Sequence, residues 1–483
     1  MESFSDSALL IEAIIESCRK KHGIEDAFAV IEDIGEAEMR YANNGITTNG
    51  ERMDREITLA VVTSKKGGQS VGIQSISTLS GPGEMENLLE AALASAKSAE
   101  TLALTEIPLG VQDRAPISSD GIADSSERDF YDPSEGIELE VFGEVLAQLR
   151  SVLSASAKTK DVASGFLSYG VATTYAATTA GIRFRGTEKL GTFELVKRRQ
   201  HEDRVASVWE GKITKDFKDI FPLETDADLS RRLAWSKKRT ELPPGRYEVI
   251  MPPSAVADLM IELYAAADAK EVCEGGTVFS NPQGDSLLGK QIGQPGFSLC
   301  SDPYDDQLSC KTTFVTTSNG SDTSIFDNGA GLQKTYWLRN STVENLRCSR
   351  AGAKKYGISP AFHIDNLILT GERQTLELED MIKSTRRGLL ITCLWYMREV
   401  DRSKLLITGL TRDGVYLVEN GEITAEVNNF RFNDSPVTLL DNALEISRSV
   451  ACYPREWGEW MPMCKMPALK VAEFNFDSTS RAN

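Results

Sequence analysis

The sequence has few of the residues that a catalytic metal centre or a reactive thiol pair would need. It contains only three histidines, His22, His201 and His363, which are too dispersed to form a local ligand pair. Neither the H-E-x-x-H motif of zinc peptidases nor a C-x-x-C pair occurs. We therefore interpret each histidine as a surface or loop residue, and the eight cysteines as reduced thiols of the core.

Other signatures of catalysis are missing as well. The chain has no G-x-S-x-G elbow for a nucleophilic serine. Its glycine-containing segment at 284–293 lacks the Lys-Ser/Thr ending of a phosphate-binding loop. Motifs of this kind consequently assign no chemistry to the chain.

The chain also lacks long hydrophobic runs and an excess of basic charge. No stretch of eighteen apolar residues occurs, and the mean hydropathy is −0.26, which excludes an apolar membrane-spanning helix. Residues 1–6 have neither the basic flank nor the apolar stretch of a secretory signal, so we expect a cytoplasmic protein. A net charge of −18 disfavours unspecific binding to nucleic acid or to anionic membranes.

The residue patterns of the N-terminal half combine helices with β-like runs. Helical spacing of apolar residues predicts helices at 6–22, 83–103, 136–157 and 226–239. Runs rich in β-prone residues predict strands at 27–32, 36–42, 57–63, 70–76, 163–177, 181–185 and 191–198. Periodicity is lost at 108–136, which we interpret as a connector. This half is therefore expected to be a helix–meander–helix arrangement resembling an α/β sandwich, with no internal repeat visible by eye.

The sequence Leu-Pro-Pro-Gly at 242–245 is the clearest stop signal in the chain. We place the domain boundary there, which predicts an N-terminal α+β domain at 1–240 and a C-terminal domain at 241–483. A strand at 247–251 and a helix at 254–270 should open the second domain. Short strands follow, and Asn-Gly at 420–421 indicates a hairpin. The expected fold class is α+β with two domains.

Several spaced segments of the C-terminal half resemble the TldD/PmbA family of metallopeptidase-like proteins. Residues 244–254 and the Leu-rich helix after them look like the opening of the family's catalytic-type domain, and Phe-Asp-Asn-Gly-Ala at 326–330 resembles its Phe-Asp-Asp-Glu-Gly element. The family's C-terminal signature is matched, in order, at 388–392, Asp401, 408–409, Gly414, 419–423, Val427 and 429–432. The N-terminal half fits more loosely. The resemblance implies a β-rich, barrel-like C-terminal domain.

Members of the TldD branch carry His-Glu-x-x-x-His on the helix after the first strand of this domain, together with a distant cysteine ligand. Matching helix to helix places that motif on residues 261–266. Glu262 keeps the glutamate position, whereas Ile261 and Ala266 replace the histidines and offer no lone pair for a metal. Neither Cys273 nor Cys464 matches the position of the cysteine ligand.

The resemblance thus implies the TldE/PmbA-type branch, with no metal or cofactor in this chain and zinc in a partner subunit. Glu262 is either a relic of the catalytic motif or a surface carboxylate one turn from Asp258. We also expect Cys393 and Trp395 to fill the core, while Tyr396 and Arg398 could line a cleft.

Three functions remain open. The first is a non-catalytic subunit of a heterodimeric metallopeptidase, whose zinc-bearing TldD-type partner cleaves extended, unfolded or precursor peptides. The second is a metal-independent enzyme or enzyme subunit that reuses the scaffold in secondary-metabolite tailoring, on a small amide-like or conjugated intermediate. The third is a peptide-binding regulator without a catalytic partner.

Overall fold

The computed structural model describes residues 6–79, 81–102, 106–110, 129–372 and 374–480. It confirms a mixed fold of helices and strands in two domains. The strands up to Thr214 form one sheet, and those from Arg239 onward form two others. The exact boundary at residues 240 and 241 stays a prediction.

The N-terminal domain is a six-stranded sheet covered by helices. Its helices are α1 (Ser7–Lys20), α2 (Pro82–Ser98), α3 (Gly143–Thr159) and α4 (Pro222–Trp235). Its strands are β1 (Asp26–Ala42), β2 (Gly45–Lys65), β3 (Gly68–Ile76), β4 (Asp161–Thr178), β5 (Arg183–Gln200) and β6 (Val205–Thr214). All neighbouring strands are antiparallel, in the order β3-β2-β1-β4-β5-β6.

This topology is a duplication. A helix, three strands and a second helix occur first as α1-β1-β2-β3-α2 and again as α3-β4-β5-β6-α4. The two halves meet at the centre of the sheet, where β1 pairs antiparallel with β4 and Gly35 lies opposite Val171. Many sequences satisfy the same alternation of side chains in a strand. The duplication is therefore evident in the topology, although no repeat is visible in the sequence.

The two faces of this sheet have different partners. Side chains on one face of the sheet, such as Ile31 and Val171, belong to apolar clusters that also contain residues of the N-terminal helices. Side chains on the other face pack against the C-terminal domain. The ring of Phe28, for example, lies 5.4 Å from that of Phe326. The sheet is therefore the middle layer between its own helices and the second domain.

Several predicted boundaries in this domain are corrected. The runs at 27–32 and 36–42 are one strand because Asp33, between them, is buried in an ion pair with Arg55 at 2.6 Å. The runs at 181–185 and 191–198 are likewise one strand, β5. The sequence prediction missed β6 and the first half of β2, residues 45–56. In that half of β2 the exposed side chains show no apolar alternation. Of the predicted connector at 108–136, residues 111–128 lie outside the described part of the chain.

The C-terminal domain is rich in β-structure, as expected. Its helices are α5 (Pro253–Ala265), α6 (Ala269–Cys273), α7 (Arg350–Tyr356), α8 (Leu378–Ser384) and α9 (Pro436–Asp441). Its first strands are β7 (Arg239–Thr240), β8 (Gly245–Met251), β9 (Phe297–Ser301), β10 (Thr335–Arg339), β11 (Thr342–Val343), β12 (Asn366–Gly371), β13 (Arg387–Ile391) and β14 (Leu394–Asp401). The remaining strands are β15 (Leu406–Thr411), β16 (Val415–Glu419), β17 (Glu422–Val427), β18 (Asn429–Asp434), β19 (Ala443–Ile446), β20 (Val450–Cys452), β21 (Met463–Met466) and β22 (Leu469–Ser480).

These strands form two sheets around a central helix. One sheet has the order β11-β10-β9-β12-β21-β20, and the other has the order β14-β15-β18-β22-β8-β13-β16-β17-β7, with β19 paired to β22. Helix α5 is buried along nearly its whole length and shares one apolar core with residues of both sheets. The predicted helix at 254–270 is in fact two helices, because Asp268 caps α6 by accepting the N–H of Lys270 at 2.9 Å.

None of the helices in the described segments has the length and hydrophobicity needed to cross a membrane.

Candidate functional site

Helix α5 carries the residues that match the zinc motif. Ile261 is 1% exposed and Ala266 is 7% exposed, and both belong to the apolar core between the two sheets. Their side chains pack against hydrocarbon and have no polar atom to offer. The two positions matched to histidine ligands are therefore structural in this chain.

Glu262 lies on the same helix but is not the surface carboxylate that one interpretation predicted. It is mostly buried, and its pKa is raised to about 7, chiefly by burial and to a smaller extent by the nearby carboxylates of Glu399 and Glu456. The indole of Trp457 acts in the opposite direction and lowers the pKa. Glu262 can therefore take up a proton near neutral pH.

Asp258, one turn earlier on α5, has a structural task. Its side chain is fully buried and accepts backbone N–H groups from Arg455 at 3.3 Å, Glu456 at 2.9 Å and Trp457 at 3.3 Å. Burial raises the pKa of Asp258 to about 8, although the three N–H donors favour the ionised form. Asp258 thereby fixes the loop that follows β20 against α5.

The donors around Glu262 do not fit a zinc ion. Its neighbours Glu399 and Glu456 are carboxylates, whereas zinc in peptidase sites is held by imidazole together with carboxylate or thiolate ligands. Glu456 is moreover engaged, because it accepts the backbone N–H groups of Tyr396 at 2.9 Å and Met397 at 3.0 Å. In the described residues no group of three histidine, cysteine or acidic side chains could hold a metal ion.

A hydrogen-bonded chain of side chains starts on the next turn of α5. The buried hydroxyl of Tyr264 lies 2.7 Å from Nδ1 of His363, and Nε2 of His363 lies 3.2 Å from the carboxylate of Asp365. Burial raises the pKa of Tyr264, so its hydroxyl stays protonated and forms a hydrogen bond with Nδ1 of His363. His363 lies in a loop, as the sequence predicted, and its ring contacts both Tyr264 and Asp365.

Asp365 lines a cleft of about 680 Å³ between the two domains. The N-terminal wall consists of Ile34, Glu36, residues 170–172, residues 184–190 and Lys215. The C-terminal wall consists of residues 309–312, Asp365, Trp460, Pro462 and Met463. Lys311 crosses the cleft and pairs with Glu188 at 2.8 Å. Burial works against the charge of Lys311, but Glu188 and Asp365 outweigh it and raise the pKa of the lysine.

Sequence reasoning missed this cleft. Glu188 and Lys311 lie in different domains, and nothing in their local sequence indicates that they meet. The spacing of His363 and Asp365 was the one available signal, since two polar residues two apart share a side of an extended segment.

The residues at 393–398 that the sequence analysis named lie partly in the core and partly at the surface. Cys393 is buried, as predicted, and Trp395 is half-buried beneath the guanidinium group of Arg455. Tyr396 is 53% exposed, and Arg398 stacks on its ring at 4.5 Å. These residues lie outside the lining of the interdomain cleft.

Comparison with known proteins identifies the scaffold. Residues 244–478 match the PmbA/TldA metallopeptidase C-terminal domain. The fold is similar to that of TldE from Thermococcus kodakarensis, with a TM-score of 0.75, 15% identity and coverage of 96% of this chain and 99% of that one. It is also similar to a candidate modulator of a DNA gyrase from Thermotoga maritima, with a TM-score of 0.74, 16% identity and coverage of 97% and 99%. Among curated proteins, none matches this chain in sequence.

The class is thus a two-domain α+β protein with a metallopeptidase-like C-terminal domain. The C-terminal domain, residues 244–478, belongs to the TldD/PmbA family, which confirms the resemblance found in its sequence. The two similar structures share only 15% and 16% sequence identity with this chain, so the similarity shows the fold alone.

Proposed function

We propose that this chain is a non-catalytic, zinc-free subunit of a heterodimeric TldD/TldE-type peptidase that acts on unfolded or precursor peptides in the cytoplasm. The observation that carries the proposal is the burial of Ile261 and Ala266, at the ligand positions, in the core of an otherwise retained peptidase scaffold. A TldD-type partner supplies the zinc ion and the general base. A protein of similar fold, from Thermococcus kodakarensis, is named TldE, which agrees with this assignment.

The test is reconstitution with a homologue that carries His-Glu-x-x-x-His. The two chains should co-purify as a heterodimer, because such subunits commonly bury more than about 2,000 Å². A disordered peptide should be hydrolysed only by the mixture, and a chelator should abolish the activity. A partner whose motif histidines are replaced by alanine is the matched control, since it should still associate without cleaving. After dialysis, the purified chain alone should contain no stoichiometric zinc.

Chelator-insensitive hydrolysis by this chain alone would contradict the proposal. The second candidate, a metal-independent enzyme acting on an amide-like or conjugated small molecule, would then be favoured. The hydrogen-bonded series Tyr264–His363–Asp365, which ends at the cleft, is the observation in its support. In that case His363→Gln would remove the activity, whereas the subunit proposal expects hydrolysis by the assembled peptidase to survive this substitution.

A further inference from the structure

Trp460 is an exposed aromatic residue in the wall of the interdomain cleft. It is 44% exposed, and among the large apolar residues that are exposed in the described part of the chain it is the one that lines this cleft. An indole ring in contact with water is less favourable than the same ring covered by another apolar group. Trp460 therefore offers a ligand an apolar surface that the fold itself leaves uncovered.

Two other rings lie beside the indole of Trp460. The imidazole of His363 is within 24° of parallel to the indole at a centroid distance of 6.5 Å, and the ring of Tyr264 is within 31° of parallel at 6.2 Å. Tyr264 is fully buried, and its hydroxyl lies 2.7 Å from Nδ1 of His363. The hydrogen bond fixes these two rings relative to each other. Trp460 thus belongs to a cluster of three rings of which it is the exposed member.

The backbone also holds Trp460 in place. The carbonyl oxygen of Trp457 accepts the N–H groups of Trp460 and Met461, both at 2.9 Å. Met461 is fully buried, and residues 455–457 are fixed to α5 by their hydrogen bonds to Asp258. A side chain carried by an ordered loop loses little conformational freedom when a ligand packs on it. The indole is therefore preorganised for binding.

The charges around the cleft favour an uncharged ligand. Both cations and aromatic rings pack on the face of an indole. A cation would find no excess of negative charge here, because three carboxylates and four basic side chains line the cleft, namely Glu36, Glu188, Asp365, Arg185, Lys189, Lys215 and Lys311. Several of them are already paired, as Lys311 is with Glu188 at 2.8 Å. An anion would have to displace such pairs, whereas a neutral ring leaves them intact.

We propose that Trp460 is the platform of a binding site for an uncharged aromatic ring, which stacks on its indole within the interdomain cleft. Such a ring occurs in the side chain of a peptide and in a free aromatic compound, and the two sources share this chemistry. For a peptide the inference rests on the proposed function and gives the subunit a preference for aromatic side chains. For a free compound it goes beyond that function.

Two probes that differ in the aromaticity of one ring test the site. Isothermal titration calorimetry on the purified chain compares N-acetylphenylalaninamide with its cyclohexylalanine counterpart. The phenyl probe should bind about three- to tenfold more tightly, because only an aromatic ring stacks on the indole. The preference should disappear in Trp460→Leu and be partly retained in Trp460→Phe. Tyr396→Leu is the matched control, since it removes an exposed ring outside the cleft and should leave the preference unchanged.

Nitrogen-15 labelling of tryptophan locates the contact. The indole N–H signal that is missing from the spectrum of Trp460→Phe belongs to Trp460, and in the unaltered chain it should shift when the phenyl probe is added. Dispersed signals from the other tryptophans show that the variant folds. A ten-residue peptide with one phenylalanine then identifies the source of the ring. Tighter binding of this peptide than of the small probe supports a peptide side chain, and binding of the small probe at least as tight supports a free aromatic compound.

Absence of binding, equal affinity for the phenyl and cyclohexyl probes, or a preference that survives in Trp460→Leu would each overturn the ring site. Tighter binding of tetramethylammonium than of the phenyl probe would do the same, because it would make the site one for cations. Reconstituted hydrolysis with a zinc-bearing partner is a separate measurement. Failure of the ring site is therefore distinguishable from failure of the proposed function.

Discussion

At the scale of single residues, Glu262 is a carboxylate whose buried surroundings decide whether it carries a proton. In a zinc peptidase a glutamate at this position would act on a metal-bound water. Here its surroundings are two further carboxylates and an indole, and burial holds its pKa near 7. Glu262 thus carries an electrostatic cost in the folded chain, which depends on pH.

Glu262→Gln should stabilise the protein at alkaline pH relative to acidic pH. The pKa of Glu262 is raised from 4.5 to about 7, so the folded state binds the proton more tightly than the unfolded state. The stabilisation by this proton is full below about pH 4.5 and is lost as the pH rises through 7. The glutamine side chain is neutral at every pH. Glu262→Gln should therefore raise the free energy of unfolding by on the order of 1–3 kcal/mol at pH 8. Urea unfolding at about pH 5 and about pH 8 measures the difference.

The exchange Glu274→Gln is the matched control, because Glu274 is exposed and its variant should unfold alike at both pH values relative to wild type. A Glu262→Gln effect that is the same at both pH values would contradict the assignment of a raised pKa. In the assembled peptidase, turnover should stay within a factor of about three, whereas loss of a general base costs about 10²–10⁴-fold.

At the scale of elements, the hairpin between β16 and β17 is a case in which local sequence and tertiary packing agree. Asn420 and Gly421 both have positive φ angles, 52° and 82°, as a two-residue hairpin turn requires. A Cβ atom at Gly421 would lie 2.7 Å from the carbonyl oxygen of Lys383. The turn is thus packed against the end of α8 at Gly421, whereas Asn420 is exposed.

Gly421→Ala should destabilise the fold by about 1–3 kcal/mol, because it combines an unfavourable φ angle with a steric clash. Chemical denaturation measures the loss. Gly50→Ala is the control, since a Cβ atom at Gly50 meets nothing within 4 Å, and its effect should stay within about 0.5 kcal/mol. Equal stability of the two variants would show that the turn does not need glycine.

At the scale of the whole molecule, Arg455 joins the two domains. Its guanidinium group lies 2.5 Å from the carboxylate of Glu194 on β5 and 4.8 Å from the ring centroids of Trp209 and Trp395. Trp209 also donates its indole N–H to Glu194 at 2.9 Å. The loop that Asp258 holds against α5 therefore contacts the N-terminal sheet through Arg455.

Arg455→Ala should weaken the coupling between the domains, because it leaves Glu194 without its cationic partner in a partly buried place. We expect a loss of about 2–4 kcal/mol and a broader or divided unfolding transition in calorimetry. Arg455→Lys should recover only part of the loss, since an ammonium group keeps the charge but cannot stack as a plane between two indoles. An unchanged single transition in Arg455→Ala would contradict this role.

The sequence by itself determined the α+β class, most helices, the hairpin at 420–421 and the family resemblance of the C-terminal domain. These features depend on local periodicity, turn chemistry and spaced motifs, all of which can be detected in neighbouring residues. That Ile261 and Ala266 stand at the ligand positions of the zinc motif stays a prediction from matching helix to helix. The sequence could not reveal the polar, exposed first half of β2, because a strand without apolar alternation has no period to detect.

Only the tertiary structure decided which residues meet. Glu188 reaches Lys311, Tyr264 reaches His363, and Arg455 reaches Glu194, in each case across a long stretch of chain. The burial of Glu262, which shifts its pKa, likewise depends on side chains from β14 and from the loop after β20. Contacts of this kind are set by how sheets and helices pack, and a linear sequence carries no local signal for them.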